Sequence, residues 1–98
     1  MSLTEKQRKY LKKLAHNMKP VIIVGSAGAS ESLVAELDQT IEHHELIKVK
    51  VNVGDRDARD EVIAEIIQGS GAELVGRVGN IATLFRARKK DQKIQLPN

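Results

Sequence analysis

Gly25-Ser26-Ala27-Gly28 is the stretch whose residue types and spacing suggest chemistry most directly, and the chemistry is that of the backbone. It follows Val21-Ile22-Ile23-Val24, four consecutive β-branched residues of the kind that pack well on a pleated surface and read as a buried strand. Ser30, just beyond, suits an N-cap, its hydroxyl accepting a bond from an orphan N–H of the helix it opens. A loop free of bulky side chains therefore lies between a strand end and a helix start. Backbone donors and the positive end of the helix dipole converge there, which suits an anion such as a phosphate. A plain strand-to-helix turn uses the same spacing, so the loop alone leaves both readings open.

The cations add direction. Net charge is only +3, but residues 1–20 hold six Lys/Arg against one acid and residues 86–98 hold five against one. Residues 21–85 hold five against eleven, so two basic ends flank an acidic middle. That division points toward a polyanion more than toward a uniform solubility coat.

Other chemistries find less support. Cysteine is absent, which excludes disulfides, thiolate metal sites and cysteine nucleophiles. His43 and His44 are neighbours on a helix and point about 100° apart, so they are poorly placed to chelate one ion. Their position near a helix C-terminus fits a dipole interaction, and His16 reads likewise. Asp55, Asp57, Asp60 and Glu61 gather at a helix start, where the dipole alone favours acids over a magnesium site. There is no Walker pattern, nucleophile elbow or dinucleotide fingerprint. The expectation is a binding protein with no catalytic residues, no cofactor and no metal.

The elements that position these residues follow from length and periodicity. Ninety-eight residues make one domain, long enough to bury roughly two-thirds of the unfolded chain's surface. No apolar run nears the ~18 residues of a membrane span, and the N-terminus lacks a signal-peptide core, so a cytoplasmic protein is expected. Thr4-Glu5-Lys6-Gln7 has the form of a capping box, and Leu11, Leu14, Ala15 and Met18 make an apolar stripe, which predicts a helix over about 5–17. Lys6, Arg8, Lys9, Lys12 and Lys13 occupy its other surface with only Glu5 to neutralise them. A second helix over about 31–43 buries Leu33, Val34, Leu37 and Ile41. Residues 46–53 alternate strictly, with Ile47, Val49, Val51 and Val53 facing a core and Lys48, Lys50 and Asn52 facing away. A third helix over about 56–68, capped by Asp55 or Asp57, buries Ala58, Val62, Ile63, Ile66 and Ile67 and stops at Gly69-Ser70-Gly71. Strands over about 73–78 and 81–86 meet at a Gly79-Asn80 turn. The tail over about 87–98 reads as loosely held.

The order α-β-α-β-α-β-β predicts an α/β fold, a four-stranded mixed sheet packed with three helices, with helices against one face and the side taken by the first helix not readable from pattern. The other face is then open, with Lys48, Lys50 and Arg77 as a second candidate surface, although ordinary solvated strand positions explain those residues more simply.

The run Lys6–Lys13 leading to Leu14-Ala15-His16, then Pro20-Val21, the Gly25–Gly28 loop, Leu46-Ile47-Lys48-Val49-Lys50 and Leu84-Phe85-Arg86 resemble the CRM domain, in its stand-alone bacterial YhbY-type form. The resemblance covers nearly the whole chain in order. It implies a fold similar to the C-terminal domain of a translation initiation factor, RNA binding, and association with precursors of the large ribosomal subunit; plant relatives serve group II intron splicing. Family loops often carry Lys or Arg between the two glycines, where this chain has Ser26-Ala27, and Phe85 and Ala87 stand where Tyr and Pro are usual. Only Tyr10 and Phe85 are aromatic, so the grip falls on RNA backbone rather than on a stacking sheet. The expected footprint is Lys9, Lys12, Lys13, Lys19 and Gly25, Ser26, Ala27 and Gly28, with Arg86, Arg88, Lys89 and Lys90 as an outer contributor. The partner implied is ribosomal RNA or a large-subunit precursor, no membrane is involved, and a monomer is favoured. The alternative is a protein-interaction module that docks a ribosomal protein through the acidic face of the second and third helices.

Overall fold

A computed structural model describes residues 2–98. The elements run α1 (Glu5–Ala15), β1 (Ile22–Val24), α2 (Glu31–His44), β2 (Leu46–Val51), α3 (Arg56–Ser70), β3 (Glu73–Val78) and β4 (Ile81–Phe85). Local chemistry sets the boundaries. The Thr4 hydroxyl accepts from the Gln7 N–H at 3.1 Å while Gln7 accepts from the Thr4 N–H at 3.0 Å, the reciprocal capping box that starts α1. Ser30 accepts from Leu33 N–H at 3.2 Å and Asp55 from Ala58 N–H at 2.9 Å, so the other two helices open on capped ends. Gly71, at φ 73°, closes α3 in the left-handed conformation.

The sheet order is β1-β2-β4-β3, with β1 parallel to β2 and the other two pairs antiparallel. The last strand of the chain thus inserts between β2 and β3. A bulge at Val75 shifts the β3–β4 register between Leu74 and Gly76.

The sheet carries helices on both faces, α2 and α3 on one and α1 on the other, the placement that pattern left open for α1. Ile22, Val24, Ile47, Val49, Val51, Ala82 and Leu84 face α2 and α3, meeting Leu37, Ile41, Ile63 and Ile66 in the larger core. Leu46, Val75 and Phe85 emerge on the opposite face, and Leu3, Leu11 and Ala15 cover them with Met18, Ile94 and Leu96. Leu46 and Phe85 pair directly, so one end of this second face is apolar across two neighbouring strands, and α1 settles there. Leu14, expected in the buried stripe, is 43% exposed; it sits about 100° round α1 from Ala15, at the edge of the stripe.

The tail also departs from expectation. It forms no helix or strand, yet it is pinned, and the pin is Glu45. This residue is fully buried between α2 and β2, at φ 65°. Its carboxylate accepts from the backbone N–H groups of Arg88 at 2.9 Å, Lys93 at 2.8 Å and Ile94 at 2.9 Å. The Gln7 amide donates to the Pro97 carbonyl at 3.0 Å, tying the same segment to α1. Burial alone would raise the Glu45 pKa, but the amides of Arg88, Ile94 and Lys93, with the Arg88 charge, outweigh it and hold the carboxyl below its ordinary value.

A lowered folded-state pKa means that the carboxylate's contribution is complete above the unfolded value of 4.5 and is lost as pH falls through the folded value. Glu45→Gln, which turns an amide group toward N–H donors, is expected to lower stability by about 2 kcal/mol at neutral pH. Urea unfolding of both proteins checks this, and the gap between them closes progressively below pH 4.5.

Candidate functional site

Strand directions decide which candidates meet. The C-terminal ends of β1, β2 and β3 and the start of β4 share one end of the sheet. The Gly25–Gly28 loop leaves β1 at that end, and the Asn52 N–H donating to the Val24 carbonyl at 2.8 Å holds its base. Within the loop the Gly28 N–H donates to the Gly25 carbonyl at 3.0 Å, a turn that needs Gly28 at φ 67°. Gly25, Ser26 and Ala27 are exposed, and a side chain built on Gly25 would meet nothing within 4 Å. The amides of Ser26 and Ala27 donate to no acceptor among the described residues. The loop is open, and two of its donors are free.

The basic helix reaches the same end from the second face. The Arg8 guanidinium donates to the Leu74 carbonyl, anchoring α1 over β3. One turn on, the Lys12 stem crosses Gly76 so closely that a Cβ there would lie 2.8 Å from Lys12 Cε. Gly76 is the seat that lets Lys12 lie across the strand. Beyond it, Lys12, Ala15 and His16 on α1 face Lys48 on β2, Val78 on β3 and Ile81 and Thr83 on β4 across a groove of about 400 Å³. Lys9, Lys12, Lys13 and His16 fall within an arc of roughly 100° on α1 at helical spacing. Lys9 also forms an exposed 3.6 Å pair with Glu5, a contact worth little in water. Lys19 is exposed on the connection from α1 to β1.

A row of side chains links groove and loop. Ile23, Lys50, Ile81 and Val78 are successive partners across the four strands, so they share the second face. Ile23 is 64% exposed and Val78 83% exposed. Ile23 lies two residues before Gly25, about 7 Å along the strand. Lys48 and Lys50, which the sequence offered as part of a second candidate surface, thus lie on the face that leads to the loop.

The C-terminal cations, expected as an outer contributor, lie elsewhere. Phe85 pairs with Leu46 at the start of β2, so Arg86 begins at the end of the sheet remote from the loop. Arg86 is spent internally: it donates to Asp38 Oδ1 at 2.6 Å, Glu42 Oε1 at 3.0 Å and the Ser70 carbonyl at 2.7 Å. Arg88 and Lys89 follow, with backbone N–H groups bonded to Glu45 and Glu42, and Lys90 stands beyond them on the same segment. Arg77 also leaves the open face, because its guanidinium pairs with Asp60 of α3. These pairs consume three carboxylates of the acidic face on α2 and α3, which weakens that face as a docking surface. Arg56 and Arg59, which the sequence reading passed over among neighbouring acids, line a second cavity with Arg77 and Gly79. Their i, i+3 spacing was the available signal.

Fold and site together define a small α/β module that presents an open amide loop and a cationic groove at one end of its sheet. The chain belongs to the CRS1 / YhbY (CRM) domain family, whose profile matches residues 3–86. It is 41% identical to an RNA-binding protein of Haemophilus influenzae over 98% of this chain and 96% of that one. It is 39% identical to a probable RNA-binding protein of Pseudomonas aeruginosa over 95% of this chain and 89% of that one. The solution structure of a hypothetical protein from Staphylococcus aureus superposes with a TM-score of 0.83 at 35% identity, covering 98% of this chain and all of that one.

Arg86→Ala leaves Asp38, Glu42 and the Ser70 carbonyl without their shared donor. It is expected to lower unfolding free energy by about 2 kcal/mol in urea titration, since charged hydrogen bonds carry roughly that much.

Proposed function

We propose that the protein binds ribosomal RNA by its sugar–phosphate backbone during assembly of the large ribosomal subunit, in the cytoplasm and without catalysing a reaction. The observation that carries this reading is the open Gly25–Gly28 loop, with the Ser26 and Ala27 amides free, at the same end of the sheet as Lys12, Lys48 and Lys50. Amides without bulky side chains let a phosphate approach, and the lysines supply the long-range attraction. Relatives that match almost end to end are named as RNA-binding proteins. The ribosomal target follows from the resemblance to YhbY-type proteins.

Binding of this type releases counterions, so affinity must fall steeply with salt, by about 0.7 in the logarithmic slope for each single-strand phosphate neutralised. The test is a filter-binding titration of large-subunit ribosomal RNA fragments at several salt concentrations, with wild-type protein and the double variant Ser26→Asp, Ala27→Asp. The wild type is expected to show the salt slope. The variant should lose at least about tenfold in affinity, because two carboxylates then face the phosphate path. Both positions are exposed, so its melting curve should match the wild type. A flat salt slope, or unchanged affinity in the variant, would remove the loop from the site.

A further inference from the structure

The groove between α1 and the sheet has a composition that backbone binding alone does not require. Arg77 on β3 lines it but is paired with Asp60; the cations left unpaired among the described residues stand on two elements, Lys12 on α1 and Lys48 on β2, and no carboxylate lines the groove. Between them the surface is apolar, formed by Val78 and Ile81 on paired strands. His16, exposed at the C-cap of α1, supplies the one aromatic ring at the rim. About 400 Å³ lies within the range of small-ligand sites, roughly 300–1,000 Å³. Gly76 contributes as well, since any side chain there would displace Lys12 from its place over the strand.

We propose that this groove binds a single unstacked nucleotide of single-stranded RNA, its base against His16 and the Val78–Ile81 floor and its flanking phosphates at Lys12 and Lys48. The inference rests on the RNA-binding reading above and adds a preference that loop and lysines alone do not create. Aromatic rings, histidine included, stack on bases that single strands can splay out, whereas an A-form duplex keeps its bases stacked and offers mainly phosphates and 2′-hydroxyls. The row from Val78 through Ile81 and Lys50 to Ile23 leads from the groove to the glycine loop, so one strand can occupy both.

The test uses the full chain, a fluorescein-labelled unstructured RNA octamer and a labelled RNA duplex, with anisotropy as readout. The wild type should favour the octamer by about tenfold, the scale of losing one base stack. His16→Ala should lower octamer affinity by about tenfold and leave duplex affinity unchanged, while His16→Phe should restore the octamer to within about threefold. Lys48→Gln should reduce the octamer's logarithmic salt slope by about 0.7. His16 and Lys48 lie at the groove surface, and melting curves of the variants verify that the fold is kept. Equal affinity for the two RNAs, or a His16→Ala loss shared by octamer and duplex, overturns the nucleotide site while RNA binding stands. Binding of neither RNA at low salt overturns the RNA-binding reading and the groove with it.

Discussion

Strand β2 is apolar on both faces at its start and on one face only at its end, and the rest of the molecule is arranged around that asymmetry. Ile47, Val49 and Val51 supply a continuous row to the core beneath α2 and α3. On the opposite face Leu46 is apolar, but Lys48 and Lys50 follow it. A helix can therefore dry only the first part of that face, since covering the lysines would strand their charges away from water. Helix α1 and the tail take the apolar part. The uncovered remainder becomes the floor of the groove. The site is the portion of a sheet face that burial could not claim.

The two ends of the sheet treat charge in opposite ways. At the Leu46 end, ionic groups satisfy one another: Arg86 bridges Asp38, Glu42 and the α3 terminus, and Glu45 collects three amides from the tail. Charge there works as structure. At the Gly25 end, Lys12, Lys48 and Lys50 form no ion pair among the described residues, and the Lys12 stem lies across Gly76. A cation without a carboxylate partner keeps its attraction for an external anion. That contrast separates cations that hold the fold from cations left unpaired, although lysine and arginine are common at both ends of the sequence.

Local chemistry made much of this legible in advance. The capping box at Thr4, the caps at Ser30 and Asp55, the alternation in β2 and the Gly79-Asn80 turn are each written within a few residues, and each formed. The glycine loop was readable for the same reason. What escaped depends on chain segments far apart. Periodicity shows which side of a strand is apolar but not what covers it, so the placement of α1 was hidden. Glu45 carried no local signal, because its donors lie more than forty residues away. The Asp38 and Glu42 pair at i, i+4 was a visible signal for a bridging cation, yet nothing local named Arg86 as that cation. Counted as charge along the chain, the C-terminal basic run resembled the N-terminal one. The strand order starts it at the end of the sheet away from the glycine loop.

The most direct measurement is amide chemical-shift mapping of the full chain titrated with an unstructured RNA oligomer. Perturbations are expected to cluster at Ser26 and Ala27, along Lys48–Lys50, and at Gly76–Val78, leaving Arg86–Lys90 and the α2 surface quiet. Shifts centred on Arg88–Lys90 and α2, with the glycine loop unmoved, would contradict the account.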